Sequence, residues 1–181
     1  MNITPPNELV RIRRTEGLDE LVCHPVLSTA DCVVASELSE SLDLDGLCLI
    51  PMRTILYFDR DFDRAEFYRA AISAWPSNPF NEWLSSQLSC NLLEDLKLLE
   101  RLGEFVALHL EIEDPDVAYV GTLGNVSATE LSVTRVSSRG SRITEPLTID
   151  LKALTKVEVG TRYLRAVRHA HTVLAARSEP R

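Results

Sequence analysis

A run of alternating acidic residues is the motif that most suggests a metal site. Asp59-Arg-Asp61-Phe-Asp63 has the carboxylate spacing that opens a calcium-binding loop. Such a loop also needs a glycine at its sixth position and a bidentate glutamate at its twelfth, but these positions hold Arg64 and Ala70. We therefore interpret the run as a solvated turn that leads into a helix cap.

The histidines and cysteines do not have the spacing of a ligand set. His169 and His171 lie two positions apart on an expected helix, so their side chains point about 200° apart and cannot share a metal. Cys23 and His24 are neighbours on an expected strand and face opposite sides of it. The cysteines lie in or beside apolar stretches without CxxC spacing, which predicts reduced thiols that pack as small hydrophobic groups: Cys23, Cys32, Cys48 and Cys90.

No other motif points to catalysis. Gly121-Thr-Leu-Gly124 lies within a strand pattern rather than between a strand and a helix, so it does not predict a phosphate-binding loop. The sequence also shows no paired carboxylates, serine elbow or nucleotide-binding loop. We therefore expect no catalytic residue, no cofactor and no metal.

Arginines form the most concentrated charge pattern. From Glu130 onward the chain has 10 basic against 5 acidic residues, although its net charge is −8. Six arginines define a candidate interaction surface: Arg162, Arg165 and Arg168 on one face of the last expected helix, with Arg135, Arg139 and Arg142 before it. A solvated face paired with nearby acids is the favoured interpretation, and docking of an acidic partner or of RNA is the alternative.

The composition is that of a globular protein, with 181 residues of which 45% are hydrophobic and 25% charged. The opening residues, MNITPPNELVRIRR, lack the apolar segment of a signal peptide, and no apolar run approaches the ~20 residues that cross a bilayer. We expect a cytoplasmic protein without a membrane contact. The acidic net charge repels phosphate at long range and argues against general nucleic-acid binding.

Strand patterns fill the first part of the chain. Apolar runs bounded by turn residues predict strands at 9–14, 21–27, 32–38, 47–50 and 55–58, with Asp45-Gly46 as a turn. A helix should follow, because Asp63 and Glu66 form a capping-box pattern and apolar residues recur at helical spacing as far as Trp75. Pro76 should end this helix.

A second series of elements follows the proline-containing segment 76–90, which we interpret as a linker. Asn91 should cap a short helix that buries leucines on one face and stops at Gly103. Strands are expected at 105–112, 117–126, 131–136, 147–151 and 154–159. A last helix from about Thr161 should bury Leu164, Val167 and Leu174.

An internal repeat is the most informative pattern. The segment 50–55 (IPMRTI) matches 149–154 (IDLKAL) in apolar pattern, 99 residues later, and FYRA at 67–70 matches YLRA at 163–166. Because strand, turn, strand and helix recur in the same order, we predict a duplicated unit. The first unit would span 1–75 with a C-terminal helix, and the second would span 91–181 with a leading and a C-terminal helix.

The second unit resembles the Sm-like fold, a short helix followed by five strongly bent strands that close a small barrel. The likeness rests on VALHL at 106–110, YVGTL at 119–123, LSV at 131–133 and the segment 149–154. In that family a glycine lies where the second strand bends, and Gly121 occupies this place. The first unit, 9–58, looks like a degraded copy. Both units also resemble a group of uncharacterised bacterial proteins with the same strand-then-helix ending.

The residues by which Sm-like proteins contact RNA are not matched. The acidic residue expected six places after the glycine is Ser127, and the base-contacting asparagine is replaced by Glu130. The expected Arg-Gly pair after Ile149 is Asp150-Leu151, which places a negative charge where phosphate would bind. The resemblance therefore implies the fold and argues against the family's activity.

These observations predict a mainly β protein with flanking helices (α+β), built from two related Sm-like five-stranded barrel units in tandem. The favoured function is a non-enzymatic protein-interaction module of unknown pathway, whose pseudo-dimer offers sheet edges and terminal helices to a protein partner. A weak RNA binder that uses the basic face of the second unit is the alternative, and an enzyme comes third. Formation of a homo-oligomer is left open.

Overall fold

The structure is a computed structural model, and it describes residues 8–72, 78–137 and 141–178. In this part of the chain ten strands and four helices follow one another. The first series is β1 (Val10–Arg14), β2 (Leu21–Ser28), β3 (Cys32–Leu38), β4 (Leu44–Pro51), β5 (Ile55–Asp59) and α1 (Ala65–Ile72). The second is α2 (Pro79–Gln87), α3 (Leu92–Leu102), β6 (Phe105–His109), β7 (Ala118–Val126), β8 (Glu130–Arg135), β9 (Leu147–Asp150), β10 (Lys156–Val159) and α4 (Arg162–Ser178).

All ten strands belong to one antiparallel sheet, so the expected mainly β, α+β class is confirmed. The strand order is β5-β1-β2-β3-β4-β10-β6-β7-β8-β9. Each half therefore places its fifth strand beside its first and continues through its second, third and fourth strands. The halves join where β4 pairs with β10, with Leu49 opposite Val157 and Leu47 opposite Val159.

Hydrogen bonds in the turn between the second and third strands are the same in both halves. The Thr29 hydroxyl accepts from the backbone N–H groups two and three residues later, those of Asp31 and Cys32. The Ser127 hydroxyl accepts in the same way from the N–H groups of Thr129 and Glu130. Each turn uses a hydroxyl residue to satisfy backbone donors that the strands leave free.

The turn between the fourth and fifth strands also repeats. The Met52 N–H donates to the Asp31 carbonyl at 2.8 Å, and the Leu151 N–H donates to the Thr129 carbonyl at 2.9 Å. The N–H three residues after each donor closes the turn, from Ile55 to Met52 and from Leu154 to Leu151. Equivalent residues in these turns of the two halves are therefore 98 or 99 positions apart in the sequence.

The two faces of the sheet are buried in different places. A large core lies between helices α2 and α3 and one face of β3, β4 and β6 to β10. The opposite face of β1 to β4 forms a smaller core around Val10, Ile12 and Ile50. Helix α1 packs against Leu9 and Phe62, and helix α4 covers an equivalent patch that includes Phe105. The main apolar side of the sheet therefore changes at the junction. Val10 and Ile12 of the first half lie on one side, and Val157 and Val159 of the second half lie on the other.

The segment 76–90 is not an irregular linker in its described part, residues 78–90. Asn78 caps helix α2 by accepting from the Phe80 N–H, and Pro79 takes the first helical position. Leu84 and Leu88 are buried in the large core. Proline is well suited to a first helical turn, where its missing N–H needs no partner, so here it begins a helix rather than interrupting the chain.

Two further expectations need correction. Asp45-Gly46 lies within β4 rather than in a turn, and the β3–β4 turn instead closes where the Ser39 N–H donates to the Asp43 carbonyl. Asp45 serves helix α4, because its carboxylate accepts from the Arg162 N–H at 2.9 Å. Leu174, which we expected to be buried, is exposed. Helix α3 was predicted correctly, from its Asn91 cap to Gly103 in the left-handed conformation.

Gly121 provides a test of backbone packing in β7. A Cβ atom at this position would lie 2.0 Å from the Thr134 carbonyl oxygen of the adjacent strand. We expect Gly121→Ala to lower the free energy of unfolding by about 2–3 kcal/mol through overpacking. Gly124→Ala is the control, because its Cβ would meet the movable Ser132 hydroxyl. Urea unfolding measures both, and equal stability of the two variants would contradict this close packing.

Candidate functional site

Two buried basic side chains, Lys156 and Arg14, meet partly buried carboxylates where the two halves of the sheet join. On β10, Val157 and Val159 point into the large core, so Lys156 and Glu158 point to the opposite face. The Lys156 ammonium lies 3.0 Å from the Glu37 carboxylate on β3 and 2.9 Å from that of Glu158. This cluster therefore links β3 of the first half to β10 of the second.

A second buried ion pair extends the same junction. The Arg14 guanidinium, at the end of β1, binds both carboxylate oxygens of Glu111, which follows β6. It also donates to the Thr155 carbonyl at 3.1 Å. The Thr155 hydroxyl bonds to Glu111 at 2.6 Å, so the carboxylate is held by two partners. Bidentate geometry of this kind gives the strongest arginine–carboxylate pairs.

The pKa values show how the charges of the junction support one another. Burial would raise the pKa of Glu158, but His109 and Lys156 outweigh it and lower the pKa to about 2. Burial would lower the pKa of Lys156, but the carboxylates of Glu158 and Glu37 raise it above its usual range. The pKa of Glu111 is likewise lowered, because hydrogen bonds from Arg14 and Thr155 exceed the effect of burial. Each of these groups is held in its charged form.

The cysteine nearest to this network is held as an unreactive thiol. Cys48 lies opposite Glu158 across the junction, and its thiol donates to the Ala35 carbonyl at 3.3 Å. Burial raises the pKa of Cys48 well above that of a free thiol, which leaves no thiolate for nucleophilic attack. All four cysteines are free and buried, as expected. At the junction the Cys48 thiol therefore packs between strands and is not available as a nucleophile.

A cleft of 670 Å³ lies beside the junction, between β2 to β4 and the starts of α2 and α4. His24 and Ser36 line it and lie directly opposite each other on β2 and β3. Within the described chain no hydrogen bond joins these two side chains. The nearby Asp43 carboxylate is engaged by Ser39 and Arg162, so it does not orient His24. The arrangement lacks the linked nucleophile, base and orienting acid of a catalytic triad.

The candidate arginines of helix α4 are largely engaged with acids. Arg162 binds the Asp43 carboxylate, and Arg168 lies 2.8 Å from the Glu104 carboxylate. Arg165 lines the cleft. The favoured interpretation, a helix face paired with nearby acids, therefore describes Arg162 and Arg168 well.

Two of the remaining three arginines, Arg135 and Arg142, belong to the β8–β9 hairpin. Arg135 lies opposite Gly121 at the end of β8, and the Ile143 N–H folds back to its carbonyl at 2.9 Å. Arg142 bridges to Val136 through the backbone and has an exposed side chain. Arg139 lies outside the described residues. The five described arginines are therefore divided between helix α4 and this hairpin.

The acidic run in 59–63 forms structural contacts. Asp59 pairs with Arg11 at 2.9 Å, and Phe62 is buried against helix α1. On α4 the His171 ring packs against Phe105. Among the described residues, no group of three or more His, Cys, Asp or Glu side chains is placed to hold a metal ion.

The junction network was missed at the level of sequence. Lys156 and Glu158 alternate with valines, which is also the pattern of a strand with one solvated face. Glu37, the partner of Lys156, lies 119 residues away, and Glu111 looked like part of an acidic turn. One signal was available: Arg14 ends a strand whose other alternate residues, Val10 and Ile12, are apolar, so its side chain had to share their buried face.

Comparisons with known proteins add no assignment. No protein-family model matches the chain, and no curated protein or solved structure is significantly similar to it. None of the described helices is long and apolar enough to cross a membrane.

The junction predicts an acid-dependent loss of stability. The folded-state pKa of Glu158, about 2, is below its ordinary value of 4.5, so its stabilising effect is full above pH 4.5 and is lost as the pH falls toward 2. That shift corresponds to about 3 kcal/mol. Glu158→Gln should lose stability at neutral pH and show a flatter dependence between pH 5 and 2. Urea unfolding across that range measures it.

Glu113→Gln is the matched control, because Glu113 is an exposed carboxylate in the β6–β7 connection. It should keep the pH dependence of the unmodified protein. Identical pH profiles for the Glu158→Gln variant and the unmodified chain would show that the charge of Glu158 does not stabilise the junction.

Proposed function

We propose that the protein is a non-enzymatic protein-interaction module built from two Sm-like barrel units in tandem. The shared strand order of the two halves supports the duplication, and so do the matching hydroxyl turns at Thr29 and Ser127. Chance resemblance of two β segments would not be expected to preserve both strand order and individual turn hydrogen bonds.

The proposed interaction role rests on the two open edges of the sheet. Among the described strands the sheet is not closed on itself as a whole, so β5 and β9 each pair with one neighbour there. On β5, Leu56 and Tyr57 are exposed large side chains. Soluble proteins usually protect such an edge with charge, proline or a covering element, because unpaired backbone groups recruit other strands. An apolar edge strand is therefore a natural surface for a partner.

The polar groups of the protein support a structural rather than a catalytic role. Lys156 and Arg14 are neutralised by carboxylates across the junction. In the cleft, Asp43 is engaged by Arg162 and the Asn81 amide donates to the Gly46 carbonyl. Active sites instead hold groups free to exchange protons with a substrate.

RNA binding is the less favoured function. Ser127, Glu130 and Asp150 stand where Sm-like proteins contact RNA. Here the Ser127 hydroxyl and the Asp150 carboxylate accept backbone N–H groups within their own turns. Arg162 and Arg168, which could bind phosphate, are paired with acids. The net charge of −8 opposes a polyanion as well.

The interaction role is tested by charging the β5 edge. Proteins that co-purify with the tagged full chain from its native cells would be compared between the unmodified protein and a Leu56→Glu, Tyr57→Lys variant. We expect specific partners, including any second copy of the chain, to be lost from the edge variant. Ile112→Lys is the control, because Ile112 is a similarly exposed apolar residue that lies in the β6–β7 connection and not in an edge strand. A partner set unaffected by the edge variant would contradict the proposal.

A separate measurement addresses RNA. We expect no affinity tighter than about micromolar at physiological salt, which is within the range of non-specific binding. Fluorescence anisotropy with U-rich and A-rich oligonucleotides measures this affinity. Nanomolar binding that is lost when Arg162, Arg165 and Arg168 are changed to Glu would favour the RNA-binding function instead.

A further inference from the structure

We propose that Cys32 and Cys90 are a redox-active pair, which a peroxide converts into a disulfide between the two halves of the chain. The two residues come from different parts of the fold. Cys32 begins β3 in the first half, and Cys90 lies between helices α2 and α3 in the second series of elements. The inference goes beyond the proposed interaction role and does not depend on it.

The two cysteine side chains are in contact in the large core. Both residues are fully buried. The Cys90 thiol donates to the Cys32 carbonyl at 2.8 Å, and the two thiols also hydrogen-bond to each other. Two cysteines can be bridged without backbone movement only when their Cα atoms lie within about 7 Å and their Cβ atoms point toward each other. A sulfur that touches both the backbone and the thiol of its partner is well placed for such a bridge.

The backbone at Cys90 is held in an unusual conformation. Its φ is +60°, in the left-handed region that favours glycine and that other residues adopt at a cost. The Thr29 hydroxyl donates to the Cys90 carbonyl at 2.6 Å, and the Asp31 carboxylate accepts from the Leu92 N–H at 2.7 Å. The β2–β3 turn therefore holds the chain on both sides of Cys90. Glycine would suit this backbone better, so the chain accepts an unfavourable conformation at a position that presents sulfur to Cys32.

The surroundings of the two thiols divide their roles. The hydrogen bond from Cys32 stabilises the Cys90 thiolate and lowers the pKa of Cys90, although burial acts in the opposite direction. The same hydrogen bond, together with burial, raises the pKa of Cys32. Since the thiolate is the nucleophile, Cys90 is the residue that a peroxide oxidises first, and Cys32 is the thiol that resolves the product.

Cys90 is close to solvent although its own side chain is covered. Its neighbours Ser89 and Asn91 are both exposed, in the short connection between two helices. A small oxidant such as hydrogen peroxide therefore has a short path to the Cys90 sulfur, whereas a bulky disulfide reagent does not.

The reaction balances with peroxide as the oxidant. The Cys90 thiolate attacks one oxygen of hydrogen peroxide, the O–O bond breaks, and Cys90 becomes a sulfenic acid. The hydroxide that leaves takes up the proton that the thiol released. The Cys32 sulfur then attacks the Cys90 sulfur, the S–O bond breaks, and water leaves with the Cys32 proton. The product is a covalent link between β3 and the segment before α3, in addition to the noncovalent β4–β10 junction.

The other two cysteines provide a control within the same chain. Cys23 and Cys48 lie on β2 and β4, with β3 between them. Two strand spacings separate them by about 10 Å, which exceeds the reach of a disulfide. Burial also raises the pKa of both thiols. We therefore expect neither to react.

Mass spectrometry of the folded full chain tests the pairing. Treatment with hydrogen peroxide should lower the intact mass by about 2 Da, the two hydrogens lost, in a form that dithiothreitol reverses. Alkylation after unfolding should then label Cys23 and Cys48 alone, and peptide mapping should join Cys32 to Cys90 within one chain. A chain that keeps all its thiols, links through Cys23 or Cys48, or forms only disulfides between chains overturns the proposal.

Single variants test the order of the two steps. In Cys32→Ser the sulfenic acid at Cys90 has no resolving thiol, so dimedone should trap it. In Cys90→Ser neither an adduct nor a mass loss should form, because Cys32 lacks a thiolate. Cys48→Ser should still form the disulfide. An adduct that persists in Cys90→Ser would contradict the assignment of Cys90 as the nucleophile. Circular dichroism checks that each variant is folded, and the mapping in the unmodified chain needs no variant.

The link should also stabilise the fold. A disulfide between residues 58 positions apart restricts the unfolded chain, so the oxidised protein should unfold at a higher urea concentration than the reduced protein. A lower midpoint for the oxidised form would show that the two cysteines are not positioned for the bond. Neither cysteine lies on β5, so this outcome and that of the edge variant are independent.

Discussion

The antiparallel pairing of β4 with β10 is the interaction on which the rest of the structure depends. It sets Leu47 and Leu49 beside Val159 and Val157, so a strand of the first half completes the core of the second. Units of about 80 residues are marginal alone because they bury a small share of their surface. A core shared by the two halves buries more surface than either half could bury alone. Separation of the halves would expose this apolar face and would also remove Glu37 from Lys156.

The charges at the junction determine its register. A shift of one residue in strand pairing moves every side chain to the other face. Such a shift between β4 and β10 would drive Lys156 and Glu158 into the hydrophobic core and turn two valines toward the ion pairs. Hydrophobic pairing alone tolerates slippage better, since any valine can face any leucine. The ion pairs of the junction therefore contribute specificity in addition to the stability that the lowered pKa of Glu158 indicates.

Sequence patterns predicted most elements because these are determined locally. Alternation in 10–14 and the Asn91 cap with Gly103 are complete signals within a few residues. Helix α2 was not predicted from the sequence, because two prolines and several small polar residues are typical of a linker. Asn78 followed by Pro79 is nevertheless a good helix start. The junction network could not be predicted, since Lys156 and Glu37 meet only through strand order across the whole chain. Local patterns carry no information about which strands of two halves adjoin.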